Sequence, residues 1–311
     1  MSPTFTLPLL LRPSNILRQI PLLVMLAFTS CASIPVINKS SELYLAGPAI
    51  RDYQPEGIVE EVQYECSVTG PTYRRMIVYL PADYYVSGER YPVLYLLHGA
   101  RGYETSWIRF GEVYESTDSL WREGKAEHCI IVMPNINQYN DDEDYAGGRA
   151  KNAFESIWEV DGKAEWSFVN DVVMLTDSLY RTIPDKEHRA IAGLSIGGYQ
   201  SIYFGANYPD IFGYVCAMSP YFWASGKKHA YNKAFYGDFK EKLDNQFQKD
   251  PPDGYYLYAG KWDITRPSTL RFHYKLNRKG YSHSYSRYPG HHDWPDGWTQ
   301  EFKDMFQKLF R

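Results

Sequence analysis

The sequence predicts an α/β protein built on a mostly parallel central sheet with helices on both faces. Three observations carry this. Strand-like and helix-like runs alternate along the chain, and strand-like runs such as 93–97 are continuously apolar instead of apolar at every second residue. The 311 residues also suit one large domain. The strand-like runs are 74–80, 91–97, 129–133, 188–192, 214–218, 255–259 and 284–288, and the helical candidates between them include 167–181, 196–208, 268–279 and 299–309. Val93-Leu94-Tyr95-Leu96-Leu97 is the clearest case: a strand with no polar face must be covered on both sides.

No repeat, low-complexity block or Pro/Ser-rich linker interrupts 51–311, so that stretch reads as a single domain. The least regular segment is 138–153. Its run Asp141-Asp142-Glu143-Asp144 lacks the alternate ligands and glycine of a calcium loop and reads as a solvated loop. A net charge of -4 without a basic run gives no footprint for nucleic acid. Aromatic residues make up 16% of the chain, with 28 Tyr; packing is the first explanation for any one of them and cleft lining the second.

Residues 1–31 read as a targeting segment. Arg12 and Arg18 precede an apolar run from Ile20 to Phe28, followed by Thr29-Ser30-Cys31. That run falls short of the roughly 20 residues needed to span a bilayer and suits a signal-peptide core. The small residues before Cys31 resemble a bacterial lipoprotein signal, with Phe28 where Leu is usual, which makes Cys31 the expected lipidated N-terminus. Plain secretion with cleavage near Cys31 is the alternative. Either way the protein is expected to be exported, with 32–50 as a tether; lipidation would add a membrane anchor. The remaining Cys66, Cys129 and Cys216 are too few and too widely spaced for a disulfide framework or a zinc site, and the last two read as buried thiols.

The chemistry starts at Gly193-Leu194-Ser195-Ile196-Gly197. A G-x-S-x-G pattern alone is weak, with roughly 0.1 chance matches in a chain of this length. Here it follows a strand (Arg189-Ala190-Ile191-Ala192) and precedes a helix (Gly198-Tyr199-Gln200-Ser201), the setting of a nucleophile elbow. The turn is sharp, so small flanking residues relieve crowding and leave Ser195 Oγ exposed. A serine needs a base. In α/β-hydrolases the order is Ser, then acid, then His, which points to the loop Pro289-Gly290-His291-His292-Asp293-Trp294, where His291 and His292 both qualify by position. A metal site from these neighbours is unfavourable, because adjacent side chains rarely converge on one ion. Asp263, at the exit of 255–259, is the expected acid; Asp293 adjoins the histidine and Asp253 lies at the wrong end of its strand. The oxyanion donors are expected to be the N–H of Ile196 and that of Ala100, with Arg101 the second choice for the latter. His98 precedes the serine and reads as shaping the loop.

Together Tyr95-Leu96-Leu97-His98-Gly99, the run from Arg189 to Gly198, and Gly290-His291-His292-Asp293-Trp294 resemble the esterase D (Putative esterase) family over roughly 63–311. That family includes feruloyl esterases, enterochelin esterases, S-formylglutathione hydrolases and antigen 85 mycolyltransferases. The resemblance implies an α/β-hydrolase fold and acyl-ester chemistry. Since the family's histidine directly precedes Asp-Trp, it also selects His292, with His291 in place of a glycine. It maps the acid to Asp263 and the oxyanion donors to Ala100 and Ile196. Ala100-Arg101 departs from the glycine-rich run of the feruloyl esterases and looks closer to the mycolyltransferase form.

Three functions compete. One is hydrolysis of feruloyl or acetyl esters on carbohydrate through an acyl-enzyme. Another is acyl transfer by the same triad, and the last is a non-catalytic binding lipoprotein on the same scaffold. No P-loop or dinucleotide fingerprint is present, so no cofactor is expected. The acyl group, the alcohol and the oligomeric state are not legible in these residues.

Overall fold

A computed structural model describes residues 36–38, 53–65, 73–100, 102–136, 166–222, 239–294 and 297–311. All lie within one compact unit, Ser33–Arg311. Cys31, Cys66 and the loop 138–153 fall outside the described residues.

Among the described residues nine strands form one sheet in the order β1-β2-β3-β5-β4-β6-β7-β8-β9. They are β1 (Val36–Asn38), β2 (Ile58–Glu65), β3 (Tyr73–Leu80), β4 (Val93–Leu97), β5 (Ile130–Pro134), β6 (Arg189–Leu194), β7 (Tyr214–Met218), β8 (Gly254–Tyr258) and β9 (Ser284–Ser286). From β5 to β9 every neighbour pairs in parallel, whereas β1, β2 and β3 join antiparallel at one edge. This is the α/β-hydrolase fold, and each strand-like run of the sequence lies on one of these strands.

Among the described residues the helices are α1 (Tyr84–Ser87), α2 (Ser106–Gly111), α3 (Val113–Arg122), α4 (Met174–Leu179), α5 (Ile196–Asn207), α6 (Phe239–Lys249), α7 (Arg266–Lys279) and α8 (Trp298–Phe306). A π-helical turn, Phe168–Val173, leads into α4. Alternate residues of β4 serve opposite faces. Val93, Tyr95 and Leu97 join the core that holds Phe168, Ile202, Leu243 and Phe272, while Leu94 and Leu96 join Trp107, Val113, Leu120 and Phe302 on the other side. Each such side chain contributes roughly 1.5–3 kcal/mol by leaving water, which is why the strand carries no polar face.

Two differences from the sequence reading have physical causes. Within the expected tether 32–50, Val36–Asn38 pairs with β2 as an edge strand, so part of that stretch is built into the sheet. The strand β2 escapes a pattern search because Glu60 and Glu61 interrupt it. Both are buried, and Glu60 accepts a hydrogen bond from the Tyr180 hydroxyl at 2.8 Å. Cys129 and Cys216 are buried free thiols. Among the described residues no helix is long and apolar enough to cross a membrane.

Candidate active site

Ser195 sits between the end of β6 and the start of α5 with φ 55° and ψ -114°. A non-glycine residue there stores strain of order 1–3 kcal/mol and needs support from its surroundings. That support is backbone: Ser195 N–H donates to Met218 O at 2.8 Å, and Ser195 O accepts from Tyr221 N–H at 2.9 Å. The flanking glycines are required by close approach. A Cβ on Gly193 would meet the Gly197 backbone at 2.5 Å, and one on Gly197 would meet His98 O at 2.4 Å.

His292 Nε2 lies 2.9 Å from Ser195 Oγ, and His292 Nδ1 lies 3.0 Å from both Oδ1 and Oδ2 of Asp263. The structure thus brings the three residues together in one chain. Two backbone bonds hold the loops that carry acid and base in register: Lys261 N–H to Tyr288 O at 2.7 Å and Trp262 N–H to Gly290 O at 2.9 Å. Asp263 is 4% exposed, and its Oδ1 accepts from Thr265 N–H and Thr265 Oγ1–H, each at 2.6 Å. Burial pushes this carboxyl up, yet His292, with the Thr265 hydroxyl, outweighs burial and holds it below the usual aspartate value. It therefore stays ionised and fixes the imidazole with a proton on Nδ1 and a bare Nε2 toward the serine.

Ile196 is the first residue of α5, so its N–H has no carbonyl four residues back within the helix. Ala100 occupies the second position of a turn closed by Gly102 N–H to Gly99 O at 3.1 Å, a position whose N–H the turn leaves unused. Both residues line the same cleft as Ser195 and His292. Arg101 lies outside the described residues.

Beneath the loop that carries Ala100, the His98 ring is buried. Its Nδ1–H donates to Gly99 O at 2.7 Å and its Nε2 accepts from Ile136 N–H at 3.1 Å, an arrangement that fits only the neutral ring. Burial, opposed in part by hydrogen bonds to Gly99 and Asn135, pushes its pKa down to about 4. The unfolded chain takes up this proton near pH 6.5 and the folded one near 4. Stability from this residue is therefore full above about pH 6.5 and is lost as pH falls toward 4, by on the order of 3 kcal/mol. Urea titrations of wild type and His98→Gln between pH 7 and 4 are expected to show a shallower decline in the variant. Parallel declines would contradict this.

The cleft above Ser195 has a volume of about 370 Å³ and is lined by Phe110, Leu194, Tyr221, Ile264, Trp294 and Trp298, among others. The Trp298 ring stands edge-on to His292 with centroids 4.9 Å apart, and Trp294 packs edge-on to both Trp298 and Trp107 at 5.0 Å. His291 is exposed and stacks on Trp262, and Asp293 is exposed outside the chain of three. Sequence reasoning missed Ser219, Thr265, Trp298 and Glu301, which contribute to this site by packing or proximity. Thr265, two residues after the acid, was the one with a local signal, since a hydroxyl at that spacing can hydrogen-bond back to Asp263. Among the described residues no group of three or more His, Cys, Asp or Glu is arranged to hold a metal ion.

The model of the family described as "Putative esterase" matches residues 67–309. The chain is 32% identical over 200 residues to an endo-1,4-beta-xylanase/feruloyl esterase of Xylanibacter ruminicola, covering 62% of this chain and 25% of that protein. It is 29% identical over 133 residues to Esterase Rv1288 of Mycobacterium tuberculosis, 42% of this chain and 25% of the relative. These alignments thus span about a quarter of the length of either curated relative. A CE1 ferulic acid esterase from Anaeromyces mucronatus superposes with a TM-score of 0.66 at 21% identity, covering 88% of this chain and 96% of that one. An S-formylglutathione hydrolase from Staphylococcus aureus gives 0.63 at 20%, covering 83% and 98%. At these identities the structural likeness shows the fold.

Proposed function

The chain belongs to the putative esterase family, and we propose that it is a serine esterase that hydrolyses aromatic acyl esters of the feruloyl type on carbohydrate. The observation that carries this reading is the unbroken chain from Asp263 through His292 to Ser195, with contacts of 3.0 and 2.9 Å. In the first step His292 Nε2 takes the Ser195 proton as Oγ attacks the ester carbonyl carbon. The developing oxyanion is met by the N–H groups of Ile196 and Ala100. The tetrahedral intermediate collapses, the alcohol leaves with the proton held on His292, and an acyl-serine remains. A water then gives its proton to His292, attacks the acyl carbon, and the acid departs as Ser195 regains its proton.

The cleft supports an aromatic acyl group. Its volume falls within the usual range for small-ligand sites, and the indole rings of Trp294 and Trp298 offer apolar faces beside the nucleophile. The xylanase/feruloyl esterase relative and the ferulic acid esterase neighbour point the same way. The named relatives and neighbours cited are esterases or hydrolases, which favours water over an acceptor alcohol as the second nucleophile. The test is a panel of feruloyl, acetyl and short-chain nitrophenyl esters given to purified protein. Acid release fastest from the feruloyl ester supports the reading; none from any ester overturns it.

The proposal takes the esterase domain as 51–311 and the preceding segment as an export signal with its lipidated cysteine at Cys31. Palmitate labelling that is present in wild type and lost in Cys31→Ala is expected, and equal labelling of the two would contradict it.

A further inference from the structure

Behind the triad the polar groups do not balance. Glu301, in the first turn of α8, is 0% exposed, and neither of its carboxyl oxygens has a hydrogen-bond partner. An ionised carboxylate left that way would cost several kcal/mol, far more than a neutral acid at the same place. Among the described residues no cation pairs with it. Asp263, from the loop after β8, already carries a negative charge, and Ser219, just past the end of β7, stands beside both carboxyls. Tyr285 of β9 and Tyr288 beyond it also sense Glu301; of the nearby cations, Arg266 and Arg287 act on Tyr285, and Lys308 pairs with Asp304.

The Ser219 hydroxyl is itself buried without a hydrogen-bond partner, on a residue with φ 49°. Two unpartnered groups of complementary kind thus adjoin the one carboxylate that orients His292. Thr265 saturates one side of Asp263 through Oδ1, leaving Oδ2 shared only with His292.

We propose that Glu301 is carried as a neutral carboxylic acid and is a positioning residue for Asp263, its O–H donating to Ser219 Oγ and the Ser219 O–H donating to Asp263 Oδ2. The pair of carboxyls then holds one negative charge, on the member that faces His292 and Thr265. Burial and the Asp263 charge both push Glu301 well above the ordinary glutamate value, in keeping with this. The kinetic part of the inference rests on the triad reading; the protonation of Glu301 does not.

The experiment compares full-length wild type with Glu301→Gln, Glu301→Leu and Ser219→Ala. Infrared difference spectra at neutral pH are expected to show the carbonyl band of a protonated acid in wild type and its loss in Glu301→Gln. The Gln variant keeps a donor toward Ser219 and is expected to keep its kcat within about twofold. Glu301→Leu and Ser219→Ala each lose one link and should lower kcat roughly tenfold with KM unmoved, and combining them should cost no more than one alone. Should Glu301→Leu fail to fold, Ser219→Ala carries the kinetic test, because it removes only a hydroxyl. Absence of the band, or full kcat in Ser219→Ala, would overturn the proposal. A wild type without esterase activity would overturn the triad reading and the positioning role with it, while the band would still decide the protonation state.

Discussion

Ser195→Ala and His292→Ala are each expected to lower kcat for ester hydrolysis by about 10⁴–10⁶-fold with no loss of folded protein. The two losses should be similar in size and far from additive, since each disables one step: transfer of the serine proton as Oγ attacks. Ser195→Ala removes the attacking atom; His292→Ala leaves the hydroxyl with no base at 2.9 Å. Neither change opens a large void, and alanine at 195 keeps the backbone that Met218 and Tyr221 hold. The residual rate reports what binding and the Ile196 and Ala100 N–H groups supply alone. Steady-state kinetics on a nitrophenyl ester, with thermal melts alongside, check both halves. A Ser195→Ala variant that retained a tenth of wild-type activity would place the chemistry elsewhere.

Asp263→Asn is the second large effect, and it separates orientation from mere packing. The side chain keeps its shape, so folding should persist, but Asn presents one N–H₂ group where Asp263 presents two acceptors to His292 Nδ1. With Thr265 N–H and Oγ1–H already directed at Oδ1, the amide oxygen stays there and the N–H₂ turns toward the ring. The imidazole must then carry its proton on Nε2, where it can no longer accept from Ser195. A fall in kcat of about 10⁴-fold is expected at neutral pH, with KM little changed. A loss of tenfold or less would mean that the ring holds its tautomer without Asp263.

Much of this was legible in the residues, and for a physical reason. A buried parallel strand must be apolar on both faces, so β4, β5, β6 and β7 announce themselves, and a strand followed by Gly193-Leu194-Ser195-Ile196-Gly197 and a helix specifies its own turn. What the sequence hid were groups whose burial is settled by distant partners. Glu60 and Glu61 look like surface residues until β2 is laid against β3 and Tyr180. Helix α6 buries Phe239, Leu243 and Gln246 and packs Phe247 half-buried against the core, a stripe too sparse and too polar to stand out. Ser219 lies just past β7 while Trp298 and Glu301 lie on α8, and only the closed sheet sets them around Asp263 and His292. Between His291 and His292, position alone did not choose; the fold directs His292 to the serine and leaves His291 on the surface against Trp262.

The most direct test of an activated Ser195 is covalent capture with a fluorophosphonate probe, followed by peptide mass mapping of the adduct in wild type, Ser195→Ala and His292→Ala. A single adduct on the peptide that contains Ser195, absent from Ser195→Ala and strongly slowed in His292→Ala, is the predicted result. Folded wild-type protein that stayed unlabelled, or carried the adduct on another residue, would contradict the account.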